Sequence, residues 1–120
     1  MTFIPEAFVE TTLSFLNNDK IPYGQVKVNT KADTFVTYTL FDERDIKSFD
    51  NKPDLTVFSV QVNVVDQTKM NVLIDRKILS AMRKAGFEVF NSASLYNPEA
   101  QNYQKSRIYR YQYDTETSEF

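Results

Sequence analysis

The sequence predicts an α+β domain in which a mostly antiparallel five-stranded sheet carries two helices on one face. Three observations lead to this fold class. Apolar residues recur at helical spacing in two segments, one near the N-terminus and one in the middle of the chain. Elsewhere apolar and polar residues alternate, which is the period of a half-buried strand. The resulting order, helix, three strands, helix, two strands, is typical of helices that cover one side of an antiparallel sheet.

The first helix is predicted over residues 3–18. Ile4, Phe8 and Phe15 belong to an apolar stripe with helical spacing, and Pro5 suits the first turn of a helix. The polar run 17–19 then predicts the end of the helix.

Two strands follow, and we expect them to form a hairpin. Val26 and Val28 alternate with polar residues, and residues 29–33 have the composition of a turn. Residues 34–41 are rich in β-branched and aromatic side chains, as strands are.

The segment 42–54 is predicted to be a charged loop, with Ile46 and Phe49 as its apolar anchors. A connection of this length in a compact domain is usually functional or mobile. We therefore expect the loop to be mobile in the free subunit and ordered by a partner. Arg44, Asp45, Ile46 and Phe49 are its candidate contact residues. A calcium site among its carboxylates is disfavoured, since the spacing lacks the glycine and the closing glutamate of a calcium loop.

The strand 56–65 shows the clearest alternation in the chain. Phe58, Val60, Val62 and Val64 fall on one face, which predicts a central strand with its apolar side on the core. A helix over residues 69–85 follows, and Gly86 suits the position just past its end.

The last third of the chain predicts strands over 87–94 and 105–114, joined by a loop over 95–103. Tyr109, Tyr111 and Tyr113 alternate along the final strand and so share a face. The row could stack nucleic-acid bases, but the surrounding charge is mixed, and packing beneath a helix is the simpler interpretation. Tyr109 and Tyr111 are also candidates for a protein interface.

Composition excludes several classes of function. The 120 residues contain no histidine and no cysteine, which removes the commonest general base, thiol nucleophiles and most transition-metal ligands. The net charge is −2, and the basic residues are interspersed with acidic ones, which disfavours tight nucleic-acid binding. No apolar run approaches the roughly 20 residues that span a bilayer. We expect a single domain over 1–114 with a flexible tail over 115–120, no catalytic or metal-binding residues, no cofactor, no membrane partner, and a cytoplasmic location.

The ordered set of motifs resembles one family. Ile21-Pro22-Tyr23 is followed by a Phe35-Val36-Thr37-Tyr38 strand and then by a Val-Gln-Val strand at residues 60–62. A helix that ends in Ala85-Gly86-Phe87 and a closing aromatic strand around Tyr109 complete the pattern. Over residues 21–113 the chain is similar to the tail terminator, or tail-completion, proteins of long-tailed bacteriophages and prophages.

The resemblance implies a non-enzymatic protein that forms a ring, commonly a hexamer, on the head-proximal end of the tail tube. It also implies contact with the tail tube protein and with a head-completion or connector protein, and a lumen through which DNA passes without specific binding. The protein would assemble in the host cytoplasm and remain in the virion. A head-completion or minor capsid protein, and a bacterial adaptor domain that binds a protein or small ligand, are the alternatives; a carboxylate-based enzyme is disfavoured.

Overall fold

The computed structural model describes residues 4–25, 34–46, 55–66, 71–97 and 102–114. The elements are α1 (Pro5–Leu13) with a following 3₁₀ turn (Ser14–Asn17), β1 (Tyr23–Gln25), β2 (Thr34–Ile46), β3 (Leu55–Asp66), α2 (Asn71–Lys84), β4 (Glu88–Asn97) and β5 (Asn102–Asp114). This is the predicted order, and the predicted α+β class is confirmed.

The five strands lie in the order β1-β2-β3-β5-β4, so the strand with the clearest alternation is indeed the central one. β3 pairs antiparallel with β2 and with β5, and β5 pairs antiparallel with β4. The pair β1–β2 is parallel, with Tyr23 beside Val36 and Gln25 beside Tyr38. The sheet is therefore mixed, with one short parallel pair at its edge.

That parallel pair makes the predicted hairpin wrong for β1, because a tight hairpin joins antiparallel strands. Docking of the first helix sets the direction of the chain here. Ile21 N donates to Leu16 O at 3.0 Å, and Val36 N donates to Pro22 O at 2.9 Å. The connector is thereby held between the 3₁₀ turn and β2. Val26 and Val28 lie outside the described residues.

The core lies between the two helices and one face of the sheet. From the sheet it takes the predicted inward-facing side of β3, together with Val36, Tyr38 and Tyr109; from the helices it takes Val9, Leu13, Leu16, Ile78 and Met82. Each of these side chains is at most 4% exposed. At roughly 1.5–3 kcal/mol for each large apolar side chain, their burial is the main stabilising contribution to the fold.

An aromatic cluster joins α1, the sheet and the end of α2. The Phe8 ring lies 5.5 Å from that of Phe87 and 4.9 Å from that of Tyr111, and Phe58 lies 5.9 Å from Phe87. Tyr109 and Tyr111 therefore pack beneath the helices, as the simpler interpretation of the tyrosine row predicted. A base-stacking platform is excluded for Tyr109, whose side chain is fully buried.

Gly86 ends α2 as predicted. Its φ of +102° lies in the region that favours glycine. Gly86 N donates to Arg83 O at 3.0 Å and Phe87 N donates to Met82 O at 3.0 Å, the two bonds of a Schellman motif. The motif turns the chain directly into β4.

One buried ion pair fastens α2 to the sheet. Arg107 on β5 donates through Nε and Nη2 to the two carboxylate oxygens of Asp75, at 3.2 and 2.6 Å. Both side chains are largely buried, with Arg107 15% and Asp75 7% exposed. Beside this pair, burial raises the pKa of the Tyr109 hydroxyl above its usual range, and the nearby Asp75 carboxylate raises it further.

The predicted loops 42–54 and 95–103 both include residues that belong to strands in the structure. Residues 42–46 are the end of β2, with Asp45 beside Thr56 and Ile46 beside Leu55. Likewise β4 continues to Asn97 and β5 begins at Asn102. In both cases a partner strand supplies backbone hydrogen bonds that local composition does not reveal. The remainder of the charged segment, with Phe49, lies outside the described residues.

Candidate subunit-interface cleft

A cleft of about 360 Å³ opens at the end of the sheet where β4 begins. β4 starts opposite Arg110, whereas β5 runs on to Asp114. The lining of the cleft comes from β2, β3, β5, the first residue of β4 and the turn after α2. The residues that line it are Asp42, Arg44, Val57, Gly86, Glu88, Arg110, Tyr111 and Gln112.

A bulge in β2 forms one wall of the cleft. The register passes from Phe41 beside Ser59 to Arg44 beside Val57, so β2 carries one extra residue in this interval. Asp42 has a φ of +57°, a left-handed conformation that aspartate tolerates better than most residues. The bulge brings Asp42 into an ion pair with Arg44. Both side chains are exposed, so the pair contributes little to stability and remains accessible to a partner.

A second bulge, in β4, lies next to the cleft, where its Phe90 contacts the cleft residue Arg110. Val89 lies beside Tyr109 and Asn91 beside Ile108, which leaves Phe90 as the extra residue. Its side chain is 58% exposed. The guanidinium carbon of Arg110 sits 3.8 Å from the centre of the Phe90 ring, in cation–π contact. Bulges commonly re-aim side chains at binding sites; here one bulge lines the cleft and the other places Phe90 against Arg110.

Arg110 is the most unusual side chain in the cleft. Its Nε is buried without a hydrogen-bond partner in the part of the chain that the structure describes. Glu88 is its cross-strand neighbour, yet the described salt bridges do not include a Glu88–Arg110 pair. An arginine that contacts an aromatic ring and has no salt-bridge partner among the described residues is suited to binding an acidic group.

Beside the cleft, the face of the sheet that the helices leave free carries a network of uncharged polar side chains. Ser106 Oγ donates to Asn63 Oδ1 at 2.6 Å, and Gln61 Nε2 donates to the same oxygen at 3.0 Å. Gln104 Nε2 donates to Ser106 Oγ at 3.0 Å. The network links β3 with β5 and keeps this part of the face free of charge.

The structure brings together two of the six predicted contact residues, Arg44 and Tyr111, in the cleft. Tyr109 belongs to the subunit's own core and forms no part of its surface. Asp45 and Ile46 lie on β2 next to the bulge, and Phe49 lies outside the described residues. A contact role for the accessible members of the set stays a prediction.

Sequence reasoning missed Arg110 and Phe90. The signal for Phe90 is the adjacent pair Val89-Phe90, which breaks the strand alternation as a bulge does. Arg110 alternates with the tyrosines and therefore faces away from the core, but its lack of a carboxylate partner depends on the cross-strand register. That register is not readable from the sequence.

Within the described residues, no helix is long and apolar enough to cross a membrane. No group of three or more acidic side chains there could hold a metal ion between them.

No protein-family model matches the chain, and no curated protein matches it. Among solved structures, the fold is similar to that of a chain from the virion of a native gene transfer agent particle. The TM-score is 0.60 at 14% sequence identity, and the match covers 92% of this chain and 94% of that chain. The likeness shows a shared fold over nearly the full length of both chains.

Proposed function

We propose that this protein is a non-enzymatic structural subunit of a virion. The observation that carries the proposal is the fold shared with a chain of the gene transfer agent virion, over 92% of one chain and 94% of the other. Because the match covers nearly the full length of both chains, it concerns the whole arrangement and not one common supersecondary motif.

More specifically, the protein forms a ring, a hexamer, on the head-proximal end of a phage or prophage tail tube. The ring ends polymerisation of the tube and provides the surface that joins the head. Support for this specific role comes from the resemblance of the ordered motifs, from Ile21-Pro22-Tyr23 to the aromatic strand around Tyr109, to those of tail terminator proteins. Its partners are further copies of itself, the tail tube protein and a head-completion or connector protein.

The cleft is the surface that we assign to contact between neighbouring subunits of the ring. Arginine and aromatic residues dominate the binding energy of protein interfaces; the cleft holds Arg110 and Tyr111, and Phe90 contacts Arg110 beside it. A neighbour that inserts an aspartate or glutamate side chain would pair with the guanidinium of Arg110. Burial of the exposed Phe90 ring would add apolar contact.

The charge of the protein suits a lumen through which DNA passes. With a net charge of −2 and an uncharged network on the helix-free face, the subunit offers little to displace the counterions of DNA. The genome can therefore traverse the ring without being held. Assembly in the host cytoplasm followed by retention in the virion agrees with this role.

Arrest of tube growth tests the proposal. Polymerisation of the cognate tail tube protein is followed by light scattering as the purified chain is added. We expect tubes to stop growing at a ratio of about one ring per tube. Unchanged growth, even with a large excess of the chain, would contradict a terminating role.

An Arg110→Gln variant then tests the cleft, with Arg76→Gln as the matched control, since Arg76 is exposed on α2 and does not line the cleft. Loss of an interface hot spot costs about 2 kcal/mol, so Arg110→Gln should raise the concentration needed for arrest roughly 30-fold. The control should match the wild type. If both variants arrest growth equally well, the assignment of the cleft is wrong, although the terminating role stands.

A further inference from the structure

The outer edge of β4 is unusually open to strand pairing. Among the described strands β4 pairs only with β5, so one row of its backbone N–H and C=O groups faces outward. Within β4, Ser92 N already donates to Asn91 Oδ1 at 2.8 Å. Residues 89–97 include no charged side chain and no proline. Natural sheets usually protect such an edge with charges, proline or a bulge, because it otherwise pairs with another chain. The bulge at Phe90 leaves seven regularly paired residues, 91–97, beyond it.

The opposite edge of the sheet is protected. β1 is three residues long and covers β2 only at residues 36–38. Further along β2, the bulge and the charged residues Asp42 and Arg44 interrupt the edge. The contrast between the two edges indicates that β4 is the one adapted to pairing.

We propose that β4 pairs antiparallel with β4 of a second copy of this chain, across a two-fold axis at Ser94. Side chains directly opposite each other in an antiparallel pair lie on the same face of the sheet. In a two-fold pair of identical strands, one residue must therefore lie opposite its own copy, and the axis passes between these two residues. Ser94 is the centre of the regular stretch 91–97, and this register pairs the largest number of residues. Asn91 then lies beside Asn97, and Ala93 beside Leu95. The paired stretch itself carries no charged side chain, although Lys105 of β5 brings a charge to the axis, since its Nζ donates to Ser94 Oγ at 3.1 Å.

The twist of the sheet favours this two-fold pairing over a head-to-tail one. Neighbouring strands rotate by roughly 20–25°, so the four steps from β1 to β4 turn the strand direction by roughly 80–100°. Copies joined head-to-tail, β4 to β1, would accumulate that rotation and grow as an open superhelix. A two-fold pair closes after two subunits and leaves both β4 edges covered.

This inference goes beyond the proposed ring and does not depend on it. The pairing describes the free protein, and it uses residues 91–97, whereas the cleft begins at the other end of β4. Two-fold pairing covers the exposed edge and so prevents uncontrolled association before assembly.

Disulfide cross-linking tests the register, because the chain has no cysteine of its own. Opposite residues of an antiparallel pair have Cα atoms about 4.5–5.5 Å apart, within the range of a disulfide. Ser94→Cys should therefore give a covalent dimer under mild oxidation. Ser80→Cys, exposed on α2, is the control and should remain monomeric on a denaturing gel.

A second experiment measures the association itself. Sedimentation equilibrium of the unmodified chain should show a dimer, and Ala93→Lys should weaken it by about tenfold or more, because it places two lysines near the axis. Ala93 is exposed in the subunit, so the variant should unfold like the wild type.

Three outcomes would overturn the proposal. The first is a strictly monomeric wild type together with no Ser94→Cys dimer. The second is a dimer that Ala93→Lys leaves unchanged. The third is a ladder of cross-links from a Ser92→Cys, Gln25→Cys double variant. These residues lie on one row across the sheet, so the ladder would show head-to-tail pairing. A monomeric chain that still arrests tube growth would refute the pairing and leave the proposed function intact.

Discussion

Replacing Asp75 by asparagine should destabilise the fold far more than any surface substitution on the same helix. The change removes the charge that neutralises Arg107 and keeps the shape of the side chain. Arg107 is 15% exposed and makes two hydrogen bonds to Asp75, so the guanidinium would be left largely buried without its counter-ion. Loss of one partner of a buried pair costs about 3–5 kcal/mol. Because the amide oxygen of the new side chain can still accept one bond, we expect about 2–3 kcal/mol for Asp75→Asn.

Urea unfolding followed by circular dichroism measures this loss. At roughly 3–6 °C per kcal/mol for a domain of 120 residues, the corresponding fall in Tm is roughly 6–18 °C. Lys77→Met on α2 is the matched control, because it breaks the Lys77–Asp19 pair, whose side chains are 58% and 33% exposed. That change should cost no more than about 1 kcal/mol.

The double variant Asp75→Leu, Arg107→Met separates the charge from the packing. Apolar replacement of a buried ion pair is often neutral, so the double variant should recover much of the stability that Asp75→Asn loses. If Asp75→Asn and Lys77→Met were equally stable, the ion pair would not be buried in solution, and the account of how α2 docks would fail.

Three further substitutions test the core. Tyr109→Phe removes a buried hydroxyl without a hydrogen-bond partner among the described residues, so stability at neutral pH should be unchanged or higher by about 1 kcal/mol. Since the pKa of Tyr109 is raised in the folded state, the folded protein keeps the phenol proton more tightly than the unfolded chain does, and the free energy of unfolding should fall as the pH rises above about 10. Tyr109→Phe should reduce that alkaline loss of stability in a pH series of urea titrations. Gly86→Ala places a methyl group at a φ of +102° and 3.1 Å from the Tyr111 ring, and should lower the free energy of unfolding by about 1–3 kcal/mol; an unchanged Tm would mean that the turn adapts freely. Val62→Asp buries a carboxylate on the central strand, where Val62 is 2% exposed, and should abolish cooperative folding; a soluble, cooperatively melting variant would show that the strand register is wrong.

Elements with long, regular patterns were predictable. The alternation of Phe58, Val60, Val62 and Val64 identified the central strand and its buried face, because a strand in the middle of a sheet must satisfy packing along its whole length. Gly86 marked the end of α2 because few residues other than glycine adopt its φ.

Features set by distant partners were not predictable. β1 runs parallel to β2 because the connector after α1 is tied to Leu16 and Val36, which local alternation does not encode. Residues 42–46 look like a loop by composition, but β3 pairs with them. The cleft depends on two bulges, and it joins Arg44 to Arg110, which are distant in sequence. Charge and aromatic content indicated candidate contact residues, but the pairing register of the strands determines which of these residues lie close together.

The central claim, that this chain caps a tail tube as a ring, is tested most directly by electron microscopy of cognate tubes grown in its presence. The account predicts one additional ring, with six-fold symmetry, at one end of each tube and bare tube walls, with the Arg110 cleft lying between adjacent subunits of the ring. Tubes without any terminal density, or tubes decorated along their length, would contradict it.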